Sequence, residues 1–458
     1  MGVSAGRLGT RGMLAVSAVL LLAGAAAPAR AGGFHTPDFG TRRCGMMAVM
    51  GKPDDLTAIF ANPAGLTLQK GNNLYLAGQA TFVDLGFKFY DSEGKLRGTI
   101  ENDAELKPTS SWGVLPYLAI GSDFGTKKFR AGVAAYAPNL FGASLPENEP
   151  TRYHLVSGFF AAVHVTGALA YEIVDQLSIG GGISAVYLRQ QGSQYMNLKV
   201  NANPDLRWDT SAGVRNNDIR LSLKGEGVTW DWNLGLLFRP IRTLGIGFSF
   251  ISGADVTLNG TVSAQRWCTD PKGHRVACPG SATVADDRKE TVDQTTKFII
   301  PFTLRAGLNW EFVKNVEFGI DVFYWHYQTL QEQVMKLKKP LAGMTEMRTP
   351  KDYNNAWNVS LGLMYRPIDQ LDLMLGYQHD ATPIPTRTLS LDNITRSHNG
   401  ISMGARWRAL DWLQVGLTYQ RTWYELLNIQ DSVLNPPSNG KGHGSMHHVA
   451  LDLAFKLP

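Results

Sequence analysis

The pattern closest to a catalytic motif is Gly400-Ile401-Ser402-Met403-Gly404, which matches G-x-S-x-G. In hydrolases this motif holds a nucleophilic serine on a strand–turn–helix elbow. Here the run lies inside a stretch of alternating apolar and small residues, which is typical of a strand and leaves no place for the elbow. We therefore interpret Ser402 as a small inward-facing residue and predict that the protein is not an enzyme.

Three histidines come close together near the end of the chain, at His443, His447 and His448. They straddle a loop and the start of a strand, so they do not have the spacing of a metal site. The run Gly180-Gly181-Gly182 opens no helix and is followed by no phosphate-binding lysine, which argues against a nucleotide loop. We predict neither a metal nor a cofactor.

The three cysteines differ in their sequence surroundings. Cys268 and Cys278 lie in one long segment between strand patterns. In an exported protein they can form a disulfide that closes this loop, and free thiols are the alternative. Cys44 is then left unpaired near the N-terminus.

Residues 1–31 have the layout of a secretory signal peptide. Arg7 and Arg11 give a basic start, an apolar run covers 13–27, and Ala29-Arg30-Ala31 supplies a small-x-small cleavage site. After that run, no apolar stretch approaches the ~20 residues that a spanning helix needs. The net charge of +5 is small and dispersed, which gives no argument for a nucleic-acid partner.

The mature chain is dominated by alternating strand patterns. Between Leu371 and Gln378, every second residue is large and apolar, and patterns of the same kind occur at 302–310, 357–365, 413–419 and 449–455. A β-sandwich can also show this alternation. However, aromatic residues lie towards the strand ends, at Trp310, Tyr365, Tyr377, Tyr419 and Phe455. Aromatic belts that flank apolar bands of roughly ten residues are typical of transmembrane β-barrels.

The spacing of the strands supports the same fold. Fourteen candidates begin near residues 73, 109, 127, 159, 176, 219, 242, 296, 315, 354, 370, 396, 411 and 444. Short links alternate with long ones, and the long ones lie near 91–108, 138–158, 190–218, 263–295, 331–353, 381–395 and 428–443. An even strand count with tight turns at one end and long loops at the other is the plan of outer-membrane proteins. We predict an all-β, transmembrane antiparallel β-barrel of about 14 strands.

The strand from Val316 to Trp325 predicts a lumen feature. Its inward set contains two large aromatic residues, Phe323 and Trp325, among polar or small ones. A water-filled pore gains nothing from such side chains, whereas an apolar ligand pocket does. Packing of these rings against an N-terminal plug inside the barrel is the alternative interpretation.

The segment from Pro53 to Leu66 precedes all the strands and reads as a short helical unit. Asp54 or Asp55 can cap a helix by accepting N–H bonds from its first turn. Asn62-Pro63 ends the helix, because a residue before proline is pushed out of the α region. Gly65 then permits a turn.

The run Asn62-Pro63-Ala64-Gly65-Leu66 resembles the plug, or hatch, motif of the outer-membrane fatty-acid transporter family (FadL, with its toluene-channel relatives of TodX type). The resemblance implies a plug at 32–72 inside a barrel at 73–458, with gating by Asn62, Pro63, Ala64 and Gly65. Further similar motifs are Ala170-Tyr171-Glu172 with 177–182, Arg152-Tyr153, Val186-Tyr187-Leu188-Arg189, the run 380–385, and Arg396. The chain departs from the usual aromatic end, because Lys456-Leu457-Pro458 follows Phe455.

The resemblance also implies a mechanism. Outer loops capture a hydrophobic ligand, a lumen pocket holds it, the plug moves, and an opening at a kink in the third strand releases it sideways. Arg189 matches a family position that meets the fatty-acid head group, although its parity is that of the lipid face. Between Arg130 and Ala137, the third strand shows no sign of a kink.

We therefore expect a passive channel in the bacterial outer membrane, with long-chain fatty acid as the first candidate ligand and aromatic hydrocarbon as the second. The expected surroundings are the lipid bilayer and lipopolysaccharide, and we expect a monomer. The alternative from a different class is a structural or adhesive barrel that transports nothing.

Overall fold

The structure is a computed structural model that describes residues 39–270, 272, 274–284, 287–341, 343–391 and 396–458. The predicted signal peptide and the first residues of the predicted plug lie outside the described residues. No helix in the described part of the chain has both the length and the apolar character to cross a membrane.

The strands are β1 (Asn72–Tyr90), β2 (Leu96–Arg97), β3 (Ser110–Ser122), β4 (Phe129–Ser144), β5 (Ser157–Val174), β6 (Leu177–Met196), β7 (Ile219–Ile241), β8 (Leu244–Ile251), β9 (Ala254–Arg266), β10 (Cys268–Thr269), β11 (Arg275–Val276), β12 (Lys289–Ile300), β13 (Thr303–Val313), β14 (Val316–Trp325), β15 (Glu332–Leu341), β16 (Met344–Pro350), β17 (Ala356–Ile368), β18 (Leu371–Asp380), β19 (His398–Leu410), β20 (Leu413–Tyr424), β21 (Leu427–Ile429) and β22 (Gly440–Leu457). The α-helices are α1 (Thr41–Met46), α2 (Ala58–Ala61), α3 (Leu198–Ala202) and α4 (Ala212–Arg215). Short 3-10 helices cover Pro63–Leu68, Pro150–Tyr153, Pro204–Trp208, Tyr327–Thr329 and Thr386–Thr388.

These strands form a closed antiparallel barrel with fourteen strands in its wall. The first strand, β1, pairs along its length with the last, β22, which removes the open edges. The side chains follow the predicted faces: Leu373 and Leu375 are exposed on the outside of β18, whereas Asp372 and Gln378 are buried inside. The predicted fold class is therefore confirmed.

Four wall strands are interrupted at the same level. The break lies at the end of β8, the start of β13, the end of β14 and the start of β17. The residues at these four ends stand opposite one another in neighbouring strands, and they are Ile251, Thr303, Trp325 and Ala356. Beyond the break, β9, β12, β15 and β16 continue the wall towards the long-loop end. The predicted eighth strand, expected to start near 296, thus starts seven residues earlier, as β12 at Lys289, and is broken before β13.

The N-terminal segment lies inside the barrel as a plug. All residues of α1 and α2 are buried, and α1 packs against β17–β20 and β22. As predicted, Asn62 ends α2 in an extended conformation, and a 3-10 helix follows. Gly65 serves close packing rather than a turn, because a Cβ there would lie 2.2 Å from Pro53 Cγ.

Candidate functional site

The aromatic pair predicted from β14 lies in the lumen. Phe323 and Trp325 are 1% and 0% exposed, and their rings meet edge to face at 5.9 Å. They belong to an apolar cluster that extends from Val49 and Met50 of the plug to Trp208 in a long loop. The pair therefore lies where a path from the loops would meet the plug.

Two buried arginines flank Phe323. The guanidinium of Arg43, in the plug, lies 4.8 Å from the ring centroid, and that of Arg305, in β13, lies 5.2 Å away. Arg305 also stacks over Phe60 at 4.4 Å. Sequence reasoning missed these cations as ligand groups, although Arg305 shares the inward parity of its strand. Together they place positive charge beside an apolar wall.

A small apolar cavity lies next to the level at which the wall strands break. Phe160, Leu188, Phe298 and Tyr327 line it, together with Asn139 from the third wall strand. Its volume is about 20 Å³, which is room for one water molecule. A ligand of the size of a fatty acid or an aromatic ring can enter only after these side chains move.

In the third wall strand, β4, the pairing with both neighbouring strands is interrupted. In β4 the alternation stops after Tyr136, and Ala137–Asn139 are all buried. The pairing with β3 is interrupted between 136 and 141, and the pairing with β5 shifts at the same point. Pro116 and Pro138 both lie in the gap, where a residue without an N–H group costs no ladder bond. The stretch from Arg130 to Ala137 gave no sign of this interruption, because the pairing changes only beyond Tyr136.

On the outer side, a depression of about 440 Å³ adjoins this gap. Pro116, Leu118 and Ala135 line it, with Leu76 and Leu451 from the strands that close the barrel. The inner cavity and this depression thus approach the same stretch of wall, because Asn139 of the gap lines the cavity.

Arg189 is not part of the lumen site. It is exposed on the outer face of β6 and stands opposite Glu226 of β7. Because β6 keeps its register with both neighbours, no bulge turns this side chain inward. The structure therefore places Arg189 on the outer face, as its parity indicated, and away from Phe323 and Trp325, while the head-group role that the resemblance implies stays a prediction.

Asn62 connects the plug to the wall. Its Oδ1 accepts the N–H of Ala64 at 3.2 Å, and its Nδ2 donates to the carbonyl of Leu236 in β7 at 3.1 Å. Wall glycines allow this approach. A Cβ on Gly235 would lie 2.1 Å from Asn62 Oδ1, and one on Gly180 would lie 2.5 Å from the Ala64 nitrogen. The predicted plug residues Asn62 and Ala64 therefore pack closely against the barrel wall.

A network of ions holds the other end of the plug. Asp54 accepts two bonds from Arg42, at 3.0 and 2.9 Å, and two from Arg406 of β19, at 3.0 and 3.1 Å. Arg406 also pairs with Asp372 at 2.9 Å, and Arg42 with Glu317 at 3.0 Å. We call these five residues the latch. Sequence reasoning assigned Asp54 only a role in capping the helix. In the structure Asp55 accepts the hydrogen bond from the N–H of Thr57, at 2.8 Å, and Asp54 binds the two arginines.

The pKa values of two neighbouring carboxyl groups in the plug are shifted in opposite directions. Burial alone would raise the pKa of Asp54, but Arg406 and Arg42 hold this pKa well below its usual range. Burial raises the pKa of Asp55 to about 6, and the negative charge of Asp54 adds to the rise. Asp54 therefore stays charged under conditions in which Asp55 takes up a proton.

The remaining candidates have structural surroundings. Ser402 Oγ donates to the carbonyl of Gly45 in the plug at 2.8 Å. His448 faces Gln79 inside the barrel, whereas His447 pairs with Tyr419 on the outside. The described residues contain no group of three or more His, Cys, Asp or Glu side chains that could hold a metal ion.

The cysteines fall into two places. Cys268 and Cys278 are joined by a disulfide in the loop between β9 and β12. Cys44 is buried in α1, where its Sγ lies 3.3 Å from Gln79 Oε1.

Comparison with known proteins identifies the family. Residues 22–455 match the family model described as outer membrane protein transport protein (OMPP1/FadL/TodX). No curated protein matches the sequence. Among solved structures, a FadL homologue of Pseudomonas aeruginosa is similar, with a TM-score of 0.74 and 19% identity over 93% of this chain and 100% of the other.

Two further solved structures share the fold. The Pseudomonas putida toluene transporter TodX has a TM-score of 0.69 and 15% identity, over 92% of this chain and 99% of the other. The Ralstonia pickettii toluene transporter TbuX has a TM-score of 0.63 and 12% identity, over 92% and 99%. The family match and the closed barrel place the protein in the bacterial outer membrane, as predicted. The chain belongs to the OMPP1/FadL/TodX family of outer membrane transport proteins.

Proposed function

We propose that this protein is a passive channel for hydrophobic molecules and that long-chain fatty acid is its main ligand. The observation that carries the proposal is the buried Phe323–Trp325 pair with Arg43 and Arg305 beside it. An apolar chain is stabilised by the aromatic wall, and an ionised carboxylate by a guanidinium. Monoaromatic hydrocarbon is the second candidate, because TodX and TbuX carry the name of toluene transporters.

The route follows the features of the barrel. The long loops near 190–218 and 263–295 capture the ligand, and the cluster around Phe323 holds it. Plug movement opens the cavity next to Tyr327, and the ligand leaves through the wall at the gap beside Pro138. Because the cavity holds only about 20 Å³, loading and plug movement must be coupled.

The aromatic pair is tested by changing Phe323 and Trp325 together to serine. The matched control is Tyr324→Ser, because Tyr324 lies between them in β14 and faces outward. We expect the double variant to lose most uptake of labelled oleate in cells with equal surface amounts of protein, and the control to keep it. Normal uptake by the double variant would mean that these rings only pack against the plug. Cells that take up no more oleate or toluene with the parent protein than without it would favour the non-transporting barrel.

A substitution at Arg305 distinguishes a fatty-acid ligand from an aromatic hydrocarbon. A charge-assisted hydrogen bond contributes about 1.5–3 kcal/mol, so Arg305→Met should weaken fatty-acid binding roughly tenfold or more and leave toluene uptake unchanged. Equal loss of both ligands would contradict a head-group role.

Gating by the plug is tested at Asn62. Replacing Asn62 with Ala leaves the Ala64 N–H and the Leu236 carbonyl unpaired, at a local cost of about 1–3 kcal/mol. We expect uptake to change far more than the thermal stability of the barrel. If uptake stays at the parental rate, the run 62–65 is a folding element only.

A further inference from the structure

The outer face of the barrel carries a polar groove above its apolar band. The floor is formed by the loop-side ends of five adjacent strands, β5, β6, β7, β9 and β12. The groove has a volume of about 620 Å³. It lies outside the lumen, so the transport route does not use it.

A row of five hydroxyl side chains crosses the floor in register. Each member stands directly opposite the next in the neighbouring strand, and the row is Ser157, Ser193, Ser222, Ser263 and Thr291. Directly opposite side chains lie on the same face, with Cβ atoms about 4.5–5.5 Å apart. The opposite face of the same strands is packed, since Leu221 and Val262 are buried in an apolar cluster. Ser193 is buried and shares a hydrogen bond of 2.8 Å with Ser157. The hydroxyls of Ser222, Ser263 and Thr291 therefore form the accessible part of the row, on a supported surface.

Cations flank the row on both sides. Lys224 lies on the membrane side of the row. Arg220 and Lys289 lie on the loop side, where Gln265 of β9 stands opposite Arg220 of β7 on one side and Lys289 of β12 on the other. Lys224 and Lys289 are exposed. Arg220 pairs with Glu147 at 2.7 Å and stacks on Trp267 at 4.5 Å. None of the described residues that line the groove is acidic.

The distance of the groove from the apolar band of the barrel indicates which part of the outer leaflet lies beside it. On β7 the outward face is apolar at Val228, Trp230 and Trp232, which are 66%, 67% and 45% exposed. Six residues from Val228 towards the loop end of β7, at Ser222, the same face is polar. At 3.3 Å per residue and the usual tilt, this is roughly 15 Å above the last apolar residue. In an outer membrane this level holds the phosphorylated sugars of lipopolysaccharide.

We propose that this groove binds the phosphorylated core sugars of lipopolysaccharide. The hydroxyl row offers donors and acceptors to sugar hydroxyls, and the exposed ammonium groups of Lys224 and Lys289 pair with phosphate. Continuity with the lipid-facing surface gives the sugars access from the side. The site anchors the wall next to the loops that cover the entrance.

The test is titration of the purified full chain with rough lipopolysaccharide that has a phosphorylated core, followed by native mass spectrometry. Lys224→Gln with Lys289→Gln should weaken binding by about tenfold or more, the size of one lost charge-assisted contact. Ser222→Val with Ser263→Val should also weaken it while leaving every charge in place. The matched control is Arg421→Gln with Lys441→Gln, which removes two exposed outward charges from β20 and β22.

Three results would overturn the proposal. The lysine pair could leave binding unchanged, or the control pair could weaken it equally, which would show only general surface charge. Lipid A without core sugars could bind as tightly as the complete molecule and lose as much affinity in the lysine variant, which would assign the cations to the lipid headgroup. Binding that falls with removal of the core sugars or their phosphates, and only in the groove variants, supports the site.

Discussion

Asp54→Asn should release the plug without unfolding the barrel. Asp54 accepts four hydrogen bonds from two guanidiniums whose side chains are 0% and 4% exposed. Asparagine keeps one acceptor oxygen but removes the charge and turns an NH₂ group towards the arginines. Breaking a buried ion pair by removing one partner costs about 3–5 kcal/mol.

The lower end of that range applies here. Arg42 retains Glu317 at 3.0 Å, and Arg406 retains Asp372 at 2.9 Å, so neither guanidinium is left as an isolated charge. A loss of about 3 kcal/mol shifts the equilibrium between docked and undocked plug by roughly a hundredfold. The barrel ladder does not pass through Asp54, and its stability should not change.

Hydrogen exchange with mass spectrometry can measure both effects in one sample. In the variant, amides of residues 41–68 should exchange roughly a hundredfold faster, whereas amides of the wall strands should exchange at the parental rate. Lys52→Gln is the control, because Lys52 is 33% exposed and its partner Glu317 keeps its pair with Arg42, so this change should cost less than Asp54→Asn. If Asp54→Asn and the control give the same small change, the latch does not hold the plug.

Three further predictions concern topology, the lipid face and pH. Cysteine labelling of intact cells should mark position 201 in a long loop and not position 369 in a short turn, and the reverse pattern would refute the orientation. Leu373→Arg should cost about 2–4 kcal/mol at the membrane midplane in refolding experiments, whereas Leu373→Met should cost little. The docked plug raises the pKa of Asp55 to about 6 from about 3.9 in the free chain, so lowering the pH from 7 to 5 should stabilise docking and raise the protection of plug amides relative to their intrinsic exchange rate. Asp55→Asn should remove that pH dependence, and a dependence that survives would assign it to another group.

The wall was predictable because its signal is local. Alternation with a period of two assigns each residue to a face within its own strand, and for this reason the facing of Phe323 and Leu373 could be read without a structure. The end of α2 at Asn62 was equally local, since a proline follows.

The interruption in β4 and the strand breaks were not visible in any single strand. Pro116 and Pro138 are each ordinary in isolation, and they mark a gap only when the register places them in the same part of the β3–β4 pair. The common level of Ile251, Thr303 and Trp325 also depends on the register between strands. Alternation alone does not supply that register.

The latch was hidden for a related reason. Asp54 and Arg406 are 352 positions apart in the chain, and buried charges in a lumen have no sequence period. Arg189 differs, because a family motif suggested a head-group role while its parity indicated the outer face, and the structure places the side chain on that face. Where motif and parity disagreed, the parity was the physical constraint.

The same strand connects the aromatic site with the plug. Asp321, two residues before Phe323 in β14, accepts the N–H groups of Val49 and Met50 at 2.7 and 3.2 Å. Val49 and Met50 also pack in the cluster that contains Phe323 and Trp325. A ligand that pushes into this cluster therefore presses on the plug segment whose backbone Asp321 holds. A ligand can shift a conformational equilibrium only by its differential contacts with the two states, and here the apolar contacts and the hydrogen bonds to Asp321 belong to the same few residues. In the proposed channel, ligand arrival and plug release are therefore one event, and the latch sets how much binding free energy that event requires.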